Sequence, residues 1–302
     1  MPEPIPVLKA LQRFLMYCGA RNFSPNTVRS YNRDLLQFIR YIGGHNATVA
    51  EVNRKAVRAY LMVLSDRKLA RASVVRKLAS IKSFSKWLAQ EGHVQGNPTE
   101  SFPGPRRMQA LPDVPSEKDI WHLLSGKIPT ACPERDRVAL ELLYGSGLRA
   151  SELAGVNLED FRGKDALLVR GKGNKERLVP VGHCAQRAIK AWLPVRSRLL
   201  AKMNLKTDAL LFSVSGNRSV ERLDVRSIHR SVKQVATAKG LPPYHPHTLR
   251  HCCATHMHDH GAPIQAIAAL LGHARLSTAQ LYTRVSVGRM METYRKAHPH
   301  AG

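Results

Sequence analysis

The sequence predicts a mainly α protein with a small antiparallel β-sheet, divided into two domains. Three observations lead there. Apolar residues recur at helical spacing through the first hundred positions, with no strand alternation among them. A proline- and arginine-rich run, Phe102-Pro103-Gly104-Pro105-Arg106-Arg107 and then Leu111-Pro112, interrupts that pattern as a linker would. Further on, two alternating segments flank Gly171-Lys172-Gly173-Asn174-Lys175, the mark of a β-hairpin. At 302 residues the chain is also near the length at which a single core gives way to two.

The elements follow in order. Ser24-Pro25 opens a helix with a hydroxyl at the N-cap and proline in the first turn. Tyr31, Leu35, Phe38, Ile39 and Ile42 form its apolar stripe before Gly43-Gly44 stops it. Arg54 to Arg67 forms the next helix, with Val57, Tyr60, Leu61 and Leu64 on one face. Val74, Leu78, Ile81, Phe84, Trp87 and Leu88 mark another, ending near Gly92. Residues 1–100 are thus a helical domain, 101–114 a linker, and 115–302 a second domain. There a helix runs to Tyr144, Gly145-Ser146-Gly147 turns, and Leu148 to Ala154 starts a helix carrying Arg149 and Glu152. Ala166–Arg170 and Arg177–Val181 are the hairpin strands, and the remainder reads as helix, including an amphipathic stretch from Val287 to Tyr294.

The formal net charge is +25. It is spread along the chain: residues 1–100 hold 16 Lys and Arg against 6 Asp and Glu, and the rest hold 31 against 16. Two basic domains, rather than one basic tail, suit a polyanion gripped from both sides. Solubility needs far less charge than this, so nucleic acid is the expected partner. Five cysteines without regular spacing argue against a disulfide framework and for a reducing compartment. No basic segment precedes an apolar run at the N-terminus, and no window approaches the roughly 18 apolar residues of a membrane span. A soluble, cytoplasmic protein is expected, with no membrane partner.

The last third holds the residues with the most chemistry: HTLRH carries His247 and Arg250, LGHARLST carries His273, and Tyr282 follows. Upstream, GSGLRASEL supplies Arg149 and GKGNKERLVPV supplies Lys172. A phosphodiester under attack gathers negative charge on its non-bridging oxygens. Guanidinium groups meet that need with a planar fork that stays charged. Arg149 and Arg250 are the candidate clamp, with Glu152 one helical turn on to hold Arg149. Taken alone, Arg149 is better explained by a surface salt bridge to Glu152. Tyr282 is the candidate nucleophile, with His247 or His273 as base or phosphate donor. Taken alone, its ring is an ordinary packing aromatic. Lys172, on the hairpin, would protonate a departing 5′-oxygen; Lys175 rivals it, and a solvated lysine is the bland alternative. Arg106, Arg107, Lys175 and Arg177 are the candidate DNA contacts.

HTLRHCCATHMHDH also has histidines four apart with cysteines between, which superficially suits zinc. No second cluster completes a tetrahedral set and His-Glu-x-x-His is missing, so no metal is expected. His256, His258 and His260 are read as surface or packing residues, and Cys252 and Cys253 as small core residues.

Together, GSGLRASEL, GKGNKERLVPV, HTLRHCCATHM, LLGHARLSTAQLYTRV and the closing YRKAHPHA resemble the tyrosine recombinase (phage integrase) family, and within it the Xer-type recombinases. The match runs over nearly the whole chain. Its departures are Cys252-Cys253 in place of the usual hydroxyl or aromatic pair, and Ala274 where a small polar residue is common. The resemblance implies that the helical part is a SAM-like core-binding domain and residues 115–302 the catalytic domain, closing as a C-shaped clamp on duplex DNA. It assigns the active-site roles to Arg149, Lys172, His247, Arg250, His273 and Tyr282. It further implies a 3′-phosphotyrosyl intermediate formed without metal, ATP or other cofactor. The segment after Tyr282 would dock on a neighbouring protomer, giving a homo-tetramer, or a hetero-tetramer with a related recombinase, on two DNA sites.

Three other readings use some of the same residues. A type IB topoisomerase shares the chemistry but reseals a single duplex, and the compact size and helical first domain favour recombination instead. A DNA-binding regulator would need no phenol beside two arginines. A metal-dependent nuclease would stop in chelator. Target sequence, accessory factors and the choice between resolution and integration or excision are not legible in one sequence.

Overall fold

The computed structural model describes all residues except 1–4, 103–113, 172–174, 215–218, 273–283 and 302, and leaves aside the side chains of 284–287 and 289. The chain divides into two compact units, Met1–Ala110 and Leu111–Gly302. The expected linker falls mostly outside the described residues.

Among the described residues the first unit has four α-helices: α1 (Val7–Ala20), α2 (Pro25–Tyr41), α3 (Arg54–Asp66) and α4 (Arg71–Gln90). Ser24 accepts the Thr27 N–H at 3.2 Å, which caps α2 where the sequence placed a cap. Leu35, Phe38 and Ile39 of α2 meet Phe14, Val57, Tyr60, Leu64, Ile81, Phe84 and Leu88 in one apolar core. A polar anchor sits within it. The fully buried Asp34 carboxylate of α2 takes bonds from Lys77 at 3.4 Å and Ser80 at 3.1 Å, and pairs with Arg76, all from α4. A buried carboxylate tolerates that position because α4 supplies its charge partners.

In the second unit come α5 (Glu117–Leu124), α6 (Pro133–Gly145) and α7 (Ala150–Gly155). Next are β1 (Phe161–Arg162), β2 (Ala166–Arg170), β3 (Glu176–Pro180) and α8 (His183–Met203). Then follow β4 (Phe212–Val214), β5 (Val220–Arg222), α9 (Val225–Ala238), α10 (Pro246–Asp259), α11 (Ile264–Leu271) and α12 (Arg284–Ala297). Strands β1, β2 and β3 form one antiparallel sheet in that order, and β4 and β5 pair as a second hairpin. This second hairpin corrects the expectation that everything after β3 is helical: strands of three residues are too short to show a period of two. A further correction concerns Arg149, which stands at the N-cap of α7 with extended backbone rather than inside the helix.

Helix α6 is buried almost all round, from Val138 to Gly145, and α5, α7, α8, α9 and α10 pack on it. Trp192 of α8 donates from Nε1 to Leu210 O at 2.8 Å and ties the long helix to the segment before β4. Met290, Tyr294 and Ala297 of α12 are buried in the unit's own core, so the stretch expected to dock on a neighbour lies here on its own domain. No helix among the described residues is long and apolar enough to cross a membrane.

Candidate active site

Glu152, in the first turn of α7, organises the site. Its carboxylate accepts the Arg149 backbone N–H at 2.9 Å and Arg149 Nη1 at 2.8 Å, so the capping residue is held by main chain and side chain at once. Both of its oxygens also accept from Arg177 on β3, Nη1 to Oε1 and Nη2 to Oε2, each at 2.9 Å. Arg250 of α10 stands 3.7 Å away through Nη1. One buried carboxylate therefore collects three guanidinium groups from three separate segments. Burial alone would raise its pKa, but the bonds from Arg177 and from the Arg149 backbone and side chain outweigh it and bring the group down to about 2.

The three arginines differ in freedom. Arg149 keeps 42% of its side chain exposed and presents the most accessible cation. Arg250 is 4% exposed. It donates from Nη1 to Gly147 O and from Nη2 to Leu271 O, which fixes its plane between the turn before α7 and the end of α11. Burial and the nearby Arg149 lower its pKa to about 10, so it stays charged at neutral pH. Arg177 is 5% exposed and donates its Nε to Leu270 O at 2.9 Å as well as both Nη to Glu152.

Arg177 thereby corrects the sequence reading, which counts it among the DNA contacts: its buried fork is turned onto Glu152 and three of its five N–H donors are used inside the protein. The sign was present in the strand pattern. Arg177 shares its face of β3 with buried Val179 and pairs across the sheet with buried Val169, so alternation turns it inward.

Two glycines make room for this packing. Gly147 adopts φ +60°, and a Cβ there would meet Leu271 Cδ2 at 2.8 Å and Cys253 Sγ at 3.2 Å. Gly272, at φ +62° after α11, lies against the Arg177 guanidinium, where a Cβ would approach Nη1 at 3.1 Å. The glycines of GSGLR and LLGH are thus what lets the segments carrying Arg149 and Arg250 close on the arginine cluster.

His247, in the first turn of α10, faces solvent. Its partial burial, then the charges of Arg250, His251 and Arg149, lower its pKa and favour the neutral ring. Lys175 is exposed at the base of the hairpin, its carbonyl accepting the Gly171 N–H at 2.8 Å. Lys172, His273, Tyr282, Arg106 and Arg107 lie outside the described residues.

The histidine-rich face of α10 does not assemble metal donors. His256 is buried with Nδ1 bonded to Tyr144 Oη and Nε2 to Pro115 O, both at 3.0 Å. His260 pairs with Glu117 at 3.1 Å. Cys252 and Cys253 are fully buried, and burial pushes both thiols up to about 12, away from the thiolate a metal needs. Among the described residues, the cluster with metal-ligand spacing is elsewhere: Glu141, Cys184 and His300.

A net positive, glycine-cleared arginine cluster held on one carboxylate is built to receive an anion. Residues 117–289 match the phage integrase family, and residues 11–92 match the phage integrase N-terminal SAM-like domain. The chain belongs to the phage integrase family. It is a tyrosine recombinase of the Xer kind, an enzyme of site-specific DNA recombination. The tyrosine recombinase XerC of Pelobacter propionicus is 39% identical over 98% of this chain and 97% of its own length. The XerC of Syntrophus aciditrophicus is 40% identical over 93% of this chain and 94% of its own. A solved lambda integrase tetramer bound to a Holliday junction shares the fold with a TM-score of 0.67 at 17% identity, covering 92% of this recombinase and 77% of that chain.

Proposed function

We propose that this recombinase cleaves duplex DNA by attack of the Tyr282 phenol on a backbone phosphorus held by Arg149 and Arg250. The P–O5′ bond breaks as the P–O(Tyr) bond forms, leaving a 3′-phosphotyrosyl link and a free 5′-hydroxyl. His247, kept neutral by its surroundings, takes the phenolic proton or, with His273, bonds the phosphate. Lys172 supplies the proton to the departing 5′-oxygen. The same hydroxyl, or one from another strand, then attacks the phosphotyrosine and restores a phosphodiester. The covalent link conserves the bond energy, so the cycle uses neither ATP nor metal.

The observation that carries this reading is the gathering of Arg149, Arg177 and Arg250 on Glu152. It leaves the exposed Arg149 as the outermost member of a rigid cationic group. The family role extends the proposal to partners: a tetramer of this chain, or of this chain with a related recombinase, on two duplexes. Lys175, Arg106 and Arg107 contact the backbone phosphates. Resolution of chromosome or plasmid dimers is the favoured task, with integration and excision of a mobile element as the other outcome.

The test is a duplex nicked near the cleavage point of a candidate site, which traps the intermediate. Wild-type protein gives an adduct that survives denaturation, and Tyr282→Phe binds the duplex without forming it. Adduct formation by Tyr282→Phe overturns the assignment.

A further inference from the structure

The C-terminal end of the chain buries a group of side chains that strand exchange leaves unused. Glu141 projects from the middle of α6, Cys184 stands in the first turn of α8, and His300 belongs to the last residues of the chain. One donor atom of each lies within 4.8 Å of the others. We propose that Glu141, Cys184 and His300 bind a zinc ion that fastens the C-terminal segment to the body of its own domain.

The donor set suits the metal. A thiol, an imidazole and a carboxylate are the three ligand types zinc takes most readily, at about 2.0–2.3 Å. Their donor atoms then stand roughly 3.3–3.7 Å apart, so the cluster closes by up to about 1.5 Å from its widest spacing. Glu141 and His300 are buried, and His300 Nδ1 already lies 3.2 Å from Glu141 Oε2. One carboxylate and one thiolate neutralise a doubly charged ion, which a poorly solvated site requires. Arg187 Nη2, 3.5 Å from Cys184 Sγ, is exposed and free to swing aside when the metal arrives.

The surroundings support a built site. The His300 ring lies edge-on to Tyr144 and Trp121, which fixes its orientation. Tyr294 Oη is buried nearby without a hydrogen-bond partner among the described residues, so the pocket holds more polar capacity than its own bonds consume. Gly182 admits the tail: a Cβ there would meet His300 O at 2.4 Å and Tyr294 Oη at 2.5 Å. His183 N also donates to Ala301 O at 3.4 Å. A metal at this point clips the last turn of chain to α6 and α8, the arrangement that competes with docking on a neighbour. That consequence rests on the tail-exchange reading; the metal site does not.

The experiment titrates full-length, reduced, metal-free protein with Zn²⁺ by calorimetry and with Co²⁺ by absorption. The expected result is one ion per chain and a thiolate-to-cobalt band in the near ultraviolet. Both are at least about tenfold weaker in Cys184→Ser and in His300→Asn, and unchanged in the surface control His258→Asn. Circular dichroism of the metal-free variants checks folding. A readout that needs no variant is hydrogen exchange: Zn²⁺ slows exchange in residues 284–302 of the wild-type chain. Cobalt absorption that survives Cys184→Ser, no detectable Zn²⁺ binding, or unaltered tail exchange in bound protein each overturns the proposal.

Discussion

Arg177 and Glu152 face each other as a two-pronged pair, Nη1 to Oε1 and Nη2 to Oε2, both at 2.9 Å and both side chains buried. The pair fixes the carboxylate, and the carboxylate in turn fixes Arg149 and steadies Arg250. Removing one member of a buried ion pair leaves the other unpaired, at about 3–5 kcal/mol. Arg177→Met is therefore expected to lose stability of that order in urea denaturation. A loss under about 1 kcal/mol would mean that the pair is not what holds this region.

Glu152→Gln keeps the shape and removes the charge. It is expected to lower stability by about 2–4 kcal/mol and to reduce adduct formation on the nicked duplex more than it reduces duplex binding. The carboxamide cannot accept two forks at once, so Arg149 loses its fixed geometry while the overall positive charge rises. Binding and adduct yield measured side by side check this; a parallel fall in both contradicts it.

Lys175 and Arg177 make a contrasting pair on one hairpin. Loss of an exposed phosphate contact lowers the slope of log K against log salt by about 0.9. Lys175→Ala is expected to show that change. A variant at Arg177 that folds, such as Arg177→Lys, is expected to keep the wild-type slope, because the native Arg177 side chain is buried and turned onto Glu152.

Gly147→Ala meets both a positive φ and a side chain at 2.8 Å. A loss of about 1–3 kcal/mol is expected. Gly147 O also receives the Arg250 guanidinium, so adduct formation should fall beyond what the stability change explains. Full adduct yield in the folded variant would separate Arg250 from this anchor.

The pH dependence has two parts with a common direction. The Glu152 carboxyl stands at about 2 when folded against an ordinary 4.5, so its contribution is complete above 4.5 and lost as pH falls toward 2. The shift corresponds to about 3 kcal/mol. Denaturation curves from pH 6 to pH 3 should show somewhat more than half of that loss in the wild type and a flatter profile in Glu152→Gln. His247 is also lowered from 6.5, so the unfolded chain takes up its proton first and folding is opposed below that pH. The same shift moves protonation of the ring to more acidic pH. Adduct formation should hold below pH 6.5 and fall only at lower pH.

Much of the molecule was legible in residue order. Helical periodicity marked α2, α3 and α4 because each buries one stripe on a single core. Alternation around paired glycines marked β2 and β3, and the two-basic-domain charge pattern marked a polyanion binder. Short patterns carry less: the three-residue strands β4 and β5 have no period to read, and Arg177 looks like a surface cation until its inward register on β3 is seen.

On its own, the sequence determined which residue types are present, where the helices and hairpin fall, and the family to which these motifs point. Tertiary structure alone decided that segments around positions 149, 177 and 250 converge on one carboxylate, and that Arg149 caps a helix rather than riding on it. It also brought Glu141 and Cys184 to His300 at the end of the chain. Spacing along a helix or strand is a local property set by backbone geometry. Which distant side chains share a charge is set by packing, once glycines such as Gly147 and Gly182 let the segments approach.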